Sequence, residues 1–262
     1  MQRHLKQITI VLVYLLFLIV VGGGIYLFVR PSLPSCDDGI QNQEEIDIDC
    51  GGPCSPCFWQ LREDLEIIFS KAIKTKDNYV DLVAKIKNLN SNWGAGLFSY
   101  AFDLYDSENN LIISHEGASH VLPLETRYII EQRVLAESEI SNVEFKITDI
   151  NWQELVDYEG IELLIRNLEF KQSEGLGQLT ATLENNSSYD LDRIDVYAVL
   201  FNKESKILGV GKLELRTVLS KERRYFEINW FFPIEGEVKE VDVVAKTNVF
   251  LDENFMRRYG KE

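Results

Sequence analysis

The chain has 262 residues, 45 % of them apolar, and carries 42 acidic against 27 basic side chains for a net charge of −15. Three of the basic groups and none of the acidic ones fall in the first 30 residues, which leaves the remainder at −18. A field of that sign repels nucleic acid and anionic lipid and favours cations or basic partners, although solubility alone is the plainer reason for it.

The first element is apolar. Residues 8–29, ITIVLVYLLFLIVVGGGIYLFV, contain no charge, and about 22 helical residues at ~1.5 Å each cover the ~30 Å hydrocarbon core of a bilayer. Arg3 and Lys6 precede the run and Arg30 follows it. The positive-inside rule then keeps residues 1–7 in the cytoplasm and exports the rest. A cleaved signal peptide is the competing reading. Its apolar region is usually ~7–15 residues long, and here Ile25, Tyr26, Leu27 and Phe28 carry the run past the glycines. LPSC at 33–36 resembles a lipoprotein processing site, but Arg30 and Pro31 stand between it and the apolar run, and a second proline lies within it. The expectation is an uncleaved single-pass anchor at the cell membrane, with Gly22–Gly24 as a packing surface or kink inside it.

Residues 30–57 form a linker and a Cys-rich acidic segment, CDDGIQNQEEIDIDCGGPCSPC from 36 to 57, that holds all four cysteines of the chain. In an exported segment an even set of close cysteines forms disulfides, here from Cys36, Cys50, Cys54 and Cys57, in one of three pairings. A four-thiolate zinc site is the rival, but only Cys54 and Cys57 make a Cys-x-x-Cys pair. Redox exchange through CSPC lacks a thioredoxin-like strand and helix around it. Asp38, Asn42, Glu45, Asp47 and Asp49 are hard oxygen donors of the kind calcium accepts. Their spacing is not that of an EF-hand, and an acidic loop that binds nothing is the alternative. The pattern C-x-D-G-x-x-N-x-x-E-x-x-x-D-C-G-G-x-C-x-x-C resembles a small module of exported, membrane-anchored microbial proteins. That resemblance implies an extracellular spacer, not an active site.

The remainder reads as one unit written twice. DLEIIF at 64–69 lies over GIELLI at 160–165, YAFDLYDSENNLI at 100–112 over VYAVLFNKESKIL at 196–208, and ETRYI at 125–129 over ERRYF at 222–226. Even the lead-ins agree, WQL at 59–61 and WQEL at 152–155. Within each copy the period is two: Phe98, Tyr100, Phe102 and Leu104 alternate with Ser99, Ala101, Asp103 and Tyr105, and Ile194, Val196, Ala198 and Leu200 repeat the pattern. Alternation of this kind buries one face of a strand and wets the other. NLNSNWGAG, DSENN, ENNSSYD and NKES read as turns. LREDLEIIFSKAIK admits a helix with Leu61, Leu65, Ile68 and Ala72 on one face, but GIELLIRNLEFK is rich in branched residues, so both are read as first strands. The expected fold is all-β: two tandem immunoglobulin-like antiparallel β-sandwiches, 58–150 and 151–250, followed by a charged, frayed tail at 251–262.

FDLYD at 102–106 also matches the motif that names the FxLYD domain family, with the KN-x-N-S turn before it. The second copy keeps Leu200 and Phe201 but loses the leading Phe and the closing Asp. The resemblance covers most of 62–150 and, more weakly, 155–250. It implies a β-sandwich of exported proteins and brings no catalytic site.

Chemistry-bearing motifs are scarce. His115 and His120, in IISHEGASHVLP, read as solvated loop residues, and Ser114-His115-Glu116 are neighbours in sequence, which is not how a catalytic triad is assembled. Asn185 and Asn186 begin Asn-x-Ser sequences whose use depends on the host. The expectation is no enzyme and no certain cofactor beyond the calcium option. The chain is expected to be a surface protein whose two sandwiches meet a protein partner. The alternative is a structural subunit of an envelope or secretion assembly in which the membrane helix takes part.

Overall fold

The structure is a computed structural model describing residues 2–29, 36–57, 62–155, 158, 160–174 and 176–255. The linker at 30–35, the WQL lead-in at 59–61 and the end of the tail, 256–262, lie outside the described residues. The chain divides into two compact units, Met1–Arg62 and Glu63–Glu262.

The first unit opens with a helix, α1 (Gln2–Val29). From residue 10 to 26 it is apolar all round, so it has no stripe to dock on a core. Its large apolar side chains from Ile10 to Tyr26 stand 39–67 % exposed. Among the described residues no helix is long and apolar enough to cross a membrane. The continuous stretch of described side chains covers residues 10–26, short of the ~20 residues a span needs. The Cys-rich loop follows.

The second unit is all-β and sandwich-like. Its first half comprises β1 (Glu66–Lys74), β2 (Tyr79–Lys87), β3 (Trp93–Tyr105), β4 (Leu111–Val121), β5 (Thr126–Leu135) and β6 (Asn142–Glu154). These make two antiparallel sheets, ordered β1-β2-β5 and β4-β3-β6. The core joins Leu82, Ala84, Ile86 and Ile129 of one sheet to Phe98, Tyr100, Phe102, Leu104 and Phe145 of the other. Each fully buried Leu, Ile or Phe among them contributes about 1.5–3 kcal/mol of transfer free energy. The second half comprises β7 (Leu163–Ser173), β8 (Leu176–Asn185), β9 (Leu191–Phe201), β10 (Ile207–Val218), β11 (Arg223–Trp230) and β12 (Glu240–Lys246). Its sheets run β11-β8-β7 and β10-β9-β12 around Leu179, Leu183, Ile194, Val196, Leu200 and Trp230. The two halves therefore share one strand order.

The inward residues read from alternation on β3 and β9 are at most 2 % exposed. Both proposed first strands are strands. β1 pairs with β2 along its length, and a bulge at Ile68 breaks the period that suggested a helix. Three readings need correction. WGAG belongs to β3 and not to the preceding turn, because a Cβ at Gly94 or Gly96 would come within 2.7 Å of Phe250, so glycine there lets the strand pass under that ring. The histidines lie on β4 and not in a loop: His115 is half-buried, and His120 is buried at 6 % exposure. The start of the tail is packed, since Asn254 accepts the Arg193 N–H at 2.7 Å and donates to the Asn248 carbonyl at 3.0 Å.

One feature contradicts the expectation of one wet face per sheet. Val83, Tyr128 and Ile130, on the outer face of β1-β2-β5, pack against Tyr197, Val199 and Val210 on the outer face of β10-β9-β12. A third core thus joins the halves, with Phe69, Ile73, Phe201 and Val244 at its edges.

Candidate functional site

In the Cys-rich loop the cysteines pair as Cys36–Cys54 and Cys50–Cys57, with Cα atoms 5.6 and 4.8 Å apart. None is left free, so no thiolate is available for zinc or for exchange. The two bridges overlap in sequence and hold a segment too small to have a core of its own.

The five oxygen donors singled out as calcium ligands each sit on a turn. The Asp49 carboxylate accepts the N–H groups of Asp38 at 2.8 Å and Gly39 at 2.9 Å. Asp38 accepts the Ile40 N–H at 2.9 Å and the Asn42 amide at 3.1 Å. Glu45, only 8 % exposed, accepts the N–H of Asn42 at 3.1 Å and of Asp49 at 3.3 Å. Asp47 accepts the N–H of Ile48 at 2.8 Å. A short loop has few carbonyls to satisfy its N–H groups, and carboxylates supply the missing acceptors. Glycine is needed where the loop folds tightest: at Gly52, with φ +55°, a Cβ would come 2.3 Å from the Glu44 carbonyl. Among the described residues, one group of three His, Cys, Asp or Glu ligand atoms lies close together, on Cys36, Glu45 and Cys54. Its two sulfurs belong to one disulfide, so Glu45 is its only anionic donor. The Asn42 side-chain oxygen is buried without a partner.

A second cluster of buried polar groups lies between the halves of the second unit, where the sequence reading placed nothing. Arg127, 1 % exposed, donates to the Tyr197 hydroxyl at 3.1 Å and to the His120 carbonyl, with the Glu125 carboxylate 3.8 Å away. Lys246 of β12 reaches the same carboxylate at 3.2 Å. Tyr128 donates to Asp242 at 2.7 Å and accepts from Lys85 at 3.1 Å. Burial, then the Asp242 carboxylate, pushes the Tyr128 phenol well above its usual range. Burial first and Arg127 second hold His120 well below the ordinary 6.5. The Arg127 guanidinium goes the other way, because Glu125, Tyr197 and Asp195 outweigh the cost of its burial. An arginine so placed is costly unless its donors are met. Here the arrangement cross-links two sheets.

Two signals in the sequence point to this cluster. Apolar residues run without alternation through Leu82-Val83-Ala84, Tyr128-Ile129-Ile130 and Val196–Leu200, as in sheets covered on both faces. The ETRYI and ERRYF repeats also place an arginine at the same point of each half. Arg224 reaches the carbonyl of Thr217 as Arg127 reaches that of His120, but at the surface. Comparison with protein-family models finds no match for the chain, and comparison with curated proteins finds none.

Proposed function

We propose that the chain is a non-catalytic, membrane-anchored surface protein. A helix in the bilayer is followed by a disulfide-clipped spacer and by two tandem immunoglobulin-like sandwiches that act as one rigid body and meet a protein partner outside the cell. The observation that carries this reading is the open apolar surface of α1, on which the large side chains from Ile10 to Tyr26 are 39–67 % exposed. A contiguous surface of that kind is unstable in water and comfortable in lipid, where a helix satisfies its own backbone. Two disulfides in the loop that follows fit an oxidising exterior. Strand order β1-β2-β5 against β4-β3-β6, repeated in the second half, fits a duplicated immunoglobulin-type sandwich. The FDLYD strand supports a kinship with FxLYD domains: Phe102 and Leu104 are core residues and Asp106 caps the turn.

A second reading, a subunit of an envelope or secretion assembly that pairs through α1, is favoured by Gly22, Gly23 and Gly24. Nothing lies within 4 Å of a Cβ placed on any of them, which leaves room for the backbone of a neighbouring helix to approach. Fractionation of cells expressing the full chain tests the anchor. We expect it to stay with membranes in alkaline carbonate, to be cut by protease added outside, and to show no titratable thiol. Recovery in the soluble fraction, or four free thiols, overturns the reading. Exchange of α1 for an unrelated apolar helix then separates the two versions, because loss of function on exchange sinks the first.

A further inference from the structure

We propose that His120 makes the junction between the two halves of the second unit sensitive to mild acid, so that the halves are locked together near neutral pH and loosen as the medium acidifies. The argument begins with position. His120 ends β4, is 6 % exposed, and its Nε2 has no hydrogen-bond partner. The Thr247 backbone serves the ring from the second half. The imidazole helps line a cavity of about 300 Å³ together with Asp192, Arg193, Asp195, Arg216, Asn248 and Asn254. Its own carbonyl receives Arg127, the residue that bonds Tyr197 across the junction. His120 therefore meets the second half through its ring and holds, through its backbone carbonyl, the arginine that fastens the two.

Charge decides what a proton there does. The charges of Arg127 on β5, Lys246 on β12 and Arg193 on β9, the last paired with Glu214, oppose a positive imidazole. The nearby carboxylates are engaged elsewhere: Glu125 with Arg127 and Lys246, and Asp192 with Arg216. Asp195 is held towards its neutral form by burial, and Glu253 stands at the cavity edge. A protonated imidazole there is opposed by its burial and by these three cations. Opening the junction exposes it to bulk water and relieves both.

The sign follows from linkage. The closed state binds the proton more weakly than an exposed histidine of ordinary value 6.5. The closed form is thus fully favoured above that value and loses ground as pH falls below it, by up to about tenfold per pH unit for one proton. Asp195 and Asp81, whose carboxyls are raised by burial, act in the opposite sense over a window that runs upward from their ordinary 3.8. Comparison with a variant that lacks only the imidazole, at each pH, isolates the histidine.

The test is hydrogen exchange on the full chain in detergent micelles, wild type against His120→Gln, with each pair compared at one pH so that intrinsic rates cancel. Between pH 7.5 and 5.5 the protection of β5, β9 and β10 in the wild type should fall about tenfold relative to the variant. His115→Gln should behave as wild type. A wild-type to variant ratio that does not change with pH overturns the proposal, as does an equal change in every strand, which would mark a global stability effect. Should the variant not fold, nuclear magnetic resonance titration of His120 in the wild type decides: a midpoint below 6.5 supports the proposal, and one at or above 6.5 ends it.

Discussion

The two halves of the second unit agree in their turns and differ in their cores. In the first, the Asn88 amide donates to the carbonyls of Trp93 at 2.6 Å and Leu122 at 2.9 Å, and Glu125 accepts the Leu122 N–H at 2.7 Å. In the second, Asn185 donates to Tyr189 at 2.8 Å and Leu219 at 3.1 Å, and Glu222 accepts the Leu219 N–H at 2.7 Å. The core positions are not kept. Phe102 lies against Phe145 with ring centroids 4.9 Å apart, whereas the matching pair across β9 and β12 is Ala198 and Val243. Trp230 from the opposite sheet restores the volume, edge-on to Phe170 at 5.9 Å. Polar turn residues hold register because each satisfies particular backbone groups, while a core asks only for apolar volume that packs.

If that is so, the largest effects come from removing the bulk on which each core was rebuilt. Phe102→Ala and Trp230→Ala should each cost about 3–5 kcal/mol in urea unfolding of the full chain. Because Val83, Tyr128 and Ile130 pack on Tyr197, Val199 and Val210, both variants should still unfold in one transition. A Trp230→Ala protein whose first half melts separately at its original midpoint would show that the junction transmits nothing.

Glycines sharpen the comparison at smaller cost. A Cβ on Gly117 would lie 2.4 Å from the Tyr100 hydroxyl oxygen, and one on Gly211 would lie 2.6 Å from Ile228 and 3.1 Å from the Trp230 ring. Each half has cleared a strand to admit its own aromatic ring. Gly117→Ala and Gly211→Ala should lose about 1–3 kcal/mol through overpacking. Tyr100→Val should restore much of the loss in the first and none in the second, which a double-mutant cycle measures. Equal rescue of both would mean that the clash is not with these rings.

Much of this architecture is legible in the residues. Alternation picks out the inward side chains of β3 and β9, and clustered cysteines in an acidic, glycine-rich segment announce a bridged loop. The junction escapes that logic because alternation assigns every second residue to water. Val83, Tyr197 and Val199 are on the outer faces that pack together. His120 is hidden for another reason: Ser114, Glu116 and Ser119 around it look solvated, and only the covering second half makes it a core residue. In the loop, Asp38, Glu45 and Asp49 resemble ligands because an oxygen suited to a cation is equally suited to a backbone N–H. Residue type alone does not separate the two uses.

The smallest expected effect comes from the hairpin turns, where the halves use the same geometry with different chemistry. Asp106 accepts the N–H groups of Glu108 and Asn110, both at 2.9 Å, and Asn202 accepts those of Glu204 at 3.0 Å and Lys206 at 2.8 Å. The bonds from Asn110 hold the Asp106 carboxyl below its ordinary 3.8. A depressed carboxyl stabilises its turn fully above that value and loses the contribution as pH falls through the lowered one; the amide of Asn202 has no proton to gain. Amide spectra recorded from pH 5 down to pH 2 should therefore show the Asn110 N–H moving while that of Lys206 stays in place. Asp106→Asn should silence the first turn, and Asn202→Asp should carry the acid response to the second. If both turns respond alike in the wild type, the acceptors are not what sets them, and the likeness between the halves rests on backbone geometry alone.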